Sequence, residues 1–139
     1  MLENPTDNEK QVLGQLPYVN NDVVLHTDIN MLPKRPKAWA SWNYLLSANQ
    51  DALATLTYNM NILQGIESET TFCVTLNKSE DIADDKVLRK FKYAHPVFST
   101  ESQRAQQQRD LICGHNRTHF VGAYWYNGFH EDGVRSAVD

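Results

Sequence analysis

The residues best suited to chemistry lie near the end of the chain. Gly128-Phe129-His130-Glu131-Asp132-Gly133 follows an apolar run, Phe120-Val121-Gly122, and an aromatic turn, and it leads into an acidic helix start. Free amides at a helix N-terminus suit electron-rich oxygen acceptors, and Gly128 lets backbone approach a flat ligand closely. The same residues also suit a plain strand–turn–helix corner in which Glu131 and Asp132 complement the helix dipole, and the residues alone favour that corner. His115 and His119 have the i, i+4 spacing of zinc helices, but no glutamate follows His115. They run into an expected strand, where that spacing puts them about 13 Å apart. No metal site is therefore expected, and no catalytic residue is assigned. Lys34, Arg35 and Lys37 read as a solvated loop, and Trp39, Trp42 and Tyr44 as core. Cys73 and Cys113 have no basic neighbour in sequence to activate them.

The elements that must position the tail follow from capping and periodicity. Thr6 or Asp7 caps a helix over Asn8–Leu13 that Gly14 ends. Strands are expected at Asp22–His26, Ala38–Leu46, Ala54–Met60, Thr71–Leu76 and Val87–Tyr93. The second and third pair as a hairpin through a turn at Asn49-Gln50-Asp51. In the third, Thr55, Thr57 and Asn59 alternate with Leu56, Tyr58 and Met60, the pattern of a half-buried strand. Pro33 and Pro36 make Asp28–Lys37 an extended basic loop, and Asn61–Gly65 is one helical turn. Thr100 caps a helix running to Cys113, Thr118–Ala123 is a short strand, and a last helix starts near Glu131. The fold class is α+β, with a mostly antiparallel sheet of about five or six strands and two or three helices.

Length, charge and composition narrow the function classes. A chain of 139 residues suits one domain, and a net charge of −4 argues against a nucleic-acid-binding module. No apolar run approaches the ~18 residues of a membrane helix. The N-terminus lacks a secretory signal, and two cysteines make no disulfide framework. The glycosylation-like triplets Asn77-Lys78-Ser79 and Asn116-Arg117-Thr118 carry no weight without export. The expectation is a cytoplasmic protein without membrane or nucleic-acid partners.

Seven segments carry a resemblance in order along the chain. They are Val24-Leu25-His26-Thr27-Asp28, Met31-Leu32-Pro33-Lys34-Arg35, Ala38-Trp39-Ala40-Ser41-Trp42-Asn43-Tyr44, Leu63-Gln64-Gly65, Val74-Thr75-Leu76-Asn77, His95-Pro96-Val97-Phe98 and the Gly128–Gly133 motif. Together they resemble the C-terminal portion of the bacterial FAD-dependent amine-oxidase-like proteins, from about Pro5 to the end. The resemblance implies a substrate domain (20–98) between an N-terminal helix and loop (1–19) and a helix with a terminal strand–turn–helix (99–139), in one domain or partial domain. It implies FAD as cofactor, a small-molecule substrate, and Gly122, Gly128, Phe129, His130, Glu131 and Asp132 as cofactor-contacting residues. The Gly-x-Gly-x-x-Gly fingerprint that grips a dinucleotide is absent among the six glycines. The chain is therefore expected to be a C-terminal part that neither retains FAD nor oxidises substrate alone. Its partner would be the missing flavin domain or a second copy. A non-catalytic binding or homo-oligomeric module is the alternative, with Phe129, Val134, Val138 and Tyr124-Trp125-Tyr126 as the exposed patch.

Overall fold

Period-two alternation of aromatic and β-branched residues does form strands in the middle of the chain. The computed structural model describes residues 2–46 and 55–139. It contains two compact units, Asn20–Tyr93, and Met1–Val19 with Ala94–Asp139. Strands β1 (Tyr18–His26), β2 (Trp42–Leu45), β3 (Thr55–Asn59), β4 (Cys73–Leu76) and β5 (Val87–Pro96) form an antiparallel sheet in the order β2-β3-β4-β1-β5. With helices α1 (Asp7–Gly14), α2 (Met60–Gln64), α3 (Thr100–Gln106) and α4 (His130–Val138), the fold is α+β, as the sequence predicts. The helix beyond the two or three expected is α2, the single turn expected before Gly65, whose left-handed φ of +64° closes it.

The predicted hairpin is present, with Trp42 opposite Tyr58 and Tyr44 opposite Leu56. The Trp42 and Tyr58 rings meet edge-on at 5.4 Å. The turn expected at 49–51 lies outside the described residues. β2 starts at Trp42, not Ala38, because Pro36–Ala38 forms a 3-10 turn and the Trp39 indole donates to the Pro33 carbonyl at 2.8 Å. Asn43 then takes both peptide groups of Ala40, so that segment has no ladder to join.

One face of β3 differs from expectation. Thr57 and Asn59 are buried, at 2% and 1% exposure, although alternation places them on the wet side. Thr57 lies opposite Thr75, and Asn59 opposite Cys73, which lies opposite His26. This second buried face is polar, and its hydrogen bonds make burial tolerable.

The other unit is built from α1, α3, α4 and the connecting turns. Thr6 caps α1 in a reciprocal box: the Glu9 amide donates to Thr6 Oγ1 at 3.2 Å, and the Thr6 amide donates to Glu9 Oε2 at 2.6 Å. That exchange explains why Glu9 is buried. Val12, Leu16, Ala105, Ile112 and Trp125 form the core, with Phe120, Tyr124 and Tyr126 packed against it.

Three expectations fail in this unit. The cap of α3 is Ser99, not Thr100, and α3 ends at Gln106 instead of Cys113. Gln106 Nε2 donates to both the Tyr124 and Tyr126 carbonyls at 2.8 Å, and a 3-10 turn, Arg109–Leu111, follows. Thr118–Ala123 is no strand, because side chains take its backbone groups. The Phe120 amide donates to Cys113 Sγ, the Phe120 carbonyl accepts from the Trp125 indole at 2.8 Å, and the Gly122 amide donates to Ser136 Oγ at 2.8 Å.

Candidate functional site

Ser136 holds the terminal corner together. Fully buried, it accepts from the Gly122 amide and donates to the Gly133 carbonyl at 2.7 Å, tying the glycine of the apolar run to α4. Arg109 donates to the Ser136 carbonyl, and its guanidinium lies 5.8 Å from the Trp125 ring centre. Gly122 has φ +159° and ψ 157°, and a Cβ there would stand 2.2 Å from Tyr124 Cε1. Gly128 has φ +93°, and a Cβ would meet the Phe98 ring at 3.0 Å. Both positions therefore require glycine for the chain's own packing.

The turn after Gly128 opens outward. Phe129 caps α4 in extended conformation, and Gly128, Phe129, His130 and Glu131 are exposed. Asp132 Oδ2 accepts from the Asn127 amide at 3.1 Å and the Phe129 amide at 2.9 Å. The Gly133 amide is the first to reach back four residues, to the Phe129 carbonyl at 3.3 Å. The amides of residues 130–132 thus lack an acceptor one turn back, as at any helix start. Below this end, Val134 and Val138 form an exposed i, i+4 apolar stripe.

All six residues singled out in the sequence thus belong to one corner, but they divide. Gly128, Phe129, His130 and Glu131 present an outer edge, while Gly122 and Asp132 are half-buried and serve the corner itself. The expected apolar patch also divides. Phe129, Val134 and Val138 are exposed, but Trp125 is a core residue at 3% exposure and Tyr124 and Tyr126 pack on that core. A wide, flat indole buried in the cluster with Ala105 and Ile112 contributes more apolar area than a surface position would allow. At the C-terminal end of α4, the Tyr126 hydroxyl donates to Asp139, and Arg135 Nε adds a bond at 3.2 Å. These two contacts, the tyrosine's first, hold the Asp139 carboxyl below its ordinary pKa.

His115 and His119 flank a tight loop in which Asn116 and Arg117 have left-handed φ values of +50° and +57°. Among the described residues, no group of three or more His, Cys, Asp or Glu is arranged to hold a metal ion.

Alternation misses a second polar constellation, in the unit of residues 20–93. His26 Nδ1 accepts the Asp28 amide at 3.1 Å, and Nε2 lies 2.8 Å from Thr75 Oγ1. Thr75 Oγ1 lies 2.8 Å from Thr57 Oγ1. Asp28 Oδ1 accepts the Asn30 amide and Oδ2 the Ala83 amide, each at 3.0 Å. These amides, Ala83's foremost, hold the Asp28 carboxyl below its usual range, and burial pushes the His26 imidazole down.

A histidine that accepts at Nδ1 carries its ring proton on Nε2, so His26 donates to Thr75 and cannot act as its base. The arrangement is therefore not a nucleophile–base pair. Cys73, on the same face and fully buried, has its thiol pushed up to about 11 by burial and then by the Asp28 charge, which removes it as a nucleophile. The sequence signal for this face is the pairing of Thr57 and Asn59 with Thr75 and Cys73, visible only once the register is known.

The sequence matches no protein-family model, and it matches no curated protein. Among the described residues, no helix is long and apolar enough to cross a membrane.

Proposed function

We propose that this chain is the substrate-side and flavin-contacting part of an FAD-dependent, amine-oxidase-like oxidoreductase of the cytoplasm. The observation that supports this most is the outward edge Gly128–Glu131, where exposed backbone and side chains meet the start of α4. Its donors and acceptors suit the uncharged part of a flavin. The amides at the head of α4 suit carbonyl oxygens, the Glu131 carboxylate suits an N–H or hydroxyl donor, and Phe129 offers an apolar wall. A diphosphate does not suit it. Glu131 and Asp132 place two carboxylates at this helix end, and Asp132 already occupies the Asn127 and Phe129 amides. In this reading the diphosphate is gripped by a separate dinucleotide-binding domain, which also covers Phe129, Val134 and Val138. Bound flavin supplies a hydride acceptor for a substrate C–N or C–C bond, while these residues orient it and exclude water.

The test is a flavin-fluorescence titration of the purified chain. Riboflavin and FAD should bind with similar weak affinity, pyrophosphate should not compete, and desalting should remove the flavin. Stoichiometric FAD that survives desalting would overturn this division of labour. The exposed Phe129, Val134 and Val138 also favour a second reading, in which a second copy covers them. Sedimentation separates the two, since a monomer at low micromolar concentration contradicts the homodimer.

A further inference from the structure

The hydroxyl pair of Thr57 and Thr75 has one proton more than it can use internally. The His26 ring proton, on Nε2, goes to Thr75 Oγ1. The bond between the two hydroxyls consumes one hydroxyl proton. The other has no further acceptor among the described residues. An unspent donor costs least where a partner can reach it. Thr75 is enclosed, whereas Thr57 borders a cavity of about 210 Å³. The low-cost arrangement has Thr75 donating to Thr57 and the Thr57 hydroxyl donating into that cavity.

The rest of the cavity indicates the ligand. Met31, Leu32 and Pro33 give it an apolar wall. Lys78 and Asp81, which also line it, are paired with each other at 2.8 Å, so the described lining residues carry no unpaired charge to attract an ion. The volume is below the roughly 300 Å³ at which pockets for drug-sized molecules begin. We propose that this cavity binds a small uncharged ligand whose carbonyl oxygen accepts the Thr57 hydroxyl proton and whose apolar part lies against Met31, Leu32 and Pro33. This site is independent of the flavin edge.

The test is a titration of the full chain with N-isopropylacetamide, followed by methyl NMR of Met31 and Thr57, with isobutyrate as the charged comparison. The amide should give saturable shifts at both methyls in the millimolar range and a nuclear Overhauser contact to the Thr57 methyl. Isobutyrate should bind at least about tenfold more weakly. Thr57→Ser should bind like the wild type, and Thr57→Val about tenfold more weakly, the loss of one hydrogen bond. No saturable shift, tighter binding of isobutyrate, or undiminished binding by a folded Thr57→Val would overturn the proposal. Should Thr57→Val not fold, the Overhauser contact and the amide–carboxylate ratio decide alone.

Discussion

Thr75→Val probes the buried relay at its middle. The substitution keeps the branched shape and removes the hydroxyl of a residue that is 1% exposed. His26 Nε2–H then loses its acceptor, and Thr57 loses its neighbour, each bond having been 2.8 Å long. An orphaned buried donor costs roughly 1–3 kcal/mol, and the lost hydroxyl–hydroxyl bond about 0.5–1 kcal/mol more. A loss of about 2–3 kcal/mol is therefore expected, or about 6–15 °C in Tm for a chain of this length. Urea unfolding followed by tryptophan fluorescence gives the free energy, and the same measurement on His26→Leu and the double variant closes a cycle. The double variant should cost at least about 1 kcal/mol less than the sum of the singles, because it leaves no imidazole donor unpaired. A Thr75→Val chain within about 0.5 kcal/mol of wild type, or strict additivity, would refute the relay.

Acidification should weaken the fold in a defined window. Burial lowers the His26 pKa from its ordinary 6.5, so the unfolded chain takes up a proton at a pH where the folded chain does not. His26's contribution is whole above pH 6.5 and declines as pH falls toward the lowered folded value, and Asp28's declines only below its ordinary 3.8. The urea midpoint should therefore drop between pH 7 and 5, less so in His26→Gln; a rise on acidification contradicts this. Gly122→Ala should lose about 2–5 kcal/mol from backbone strain and the clash with Tyr124. In thermal melts, Gly14→Ala, with open space at its Cβ, should stay near wild type, and equal Tm values for the two variants would remove the Gly122 explanation. A thiol reagent on the native chain should modify Cys113 and spare Cys73, whose thiol is buried and raised to about 11; mass-mapped labelling of Cys73 at a similar rate would contradict the buried polar face.

Local rules made much of this fold legible. Thr6 with Glu9, Gly65 after Gln64, and alternation in Trp42–Leu45 and Thr55–Asn59 each act over a few residues, and each element formed where these signals lie. The failures occur where distant side chains intervene. Gln106 and Arg109 are tied to residues 18 to 27 positions away, beyond the end of α3. Phe120 and Gly122 give their backbone groups to Cys113, Trp125 and Ser136, so no ladder forms. Thr57 and Asn59 were legible as a polar stripe, but their burial depends on Thr75 and Cys73, which only the register places opposite them. At the corner, the glycines and acidic residues were visible in sequence, while the inward role of Asp132 and the core position of Trp125 were not.

The flavin edge has one direct test. Amide NMR of the isotopically labelled chain, titrated with riboflavin, reports where the ring system lands. Resonances of Gly128 to Glu131 should shift saturably, pyrophosphate should leave them in place, and Glu131→Gln should weaken the riboflavin effect without changing the remaining spectrum. Riboflavin shifts centred elsewhere, or none at saturating flavin, would contradict a flavin-contacting role for this corner.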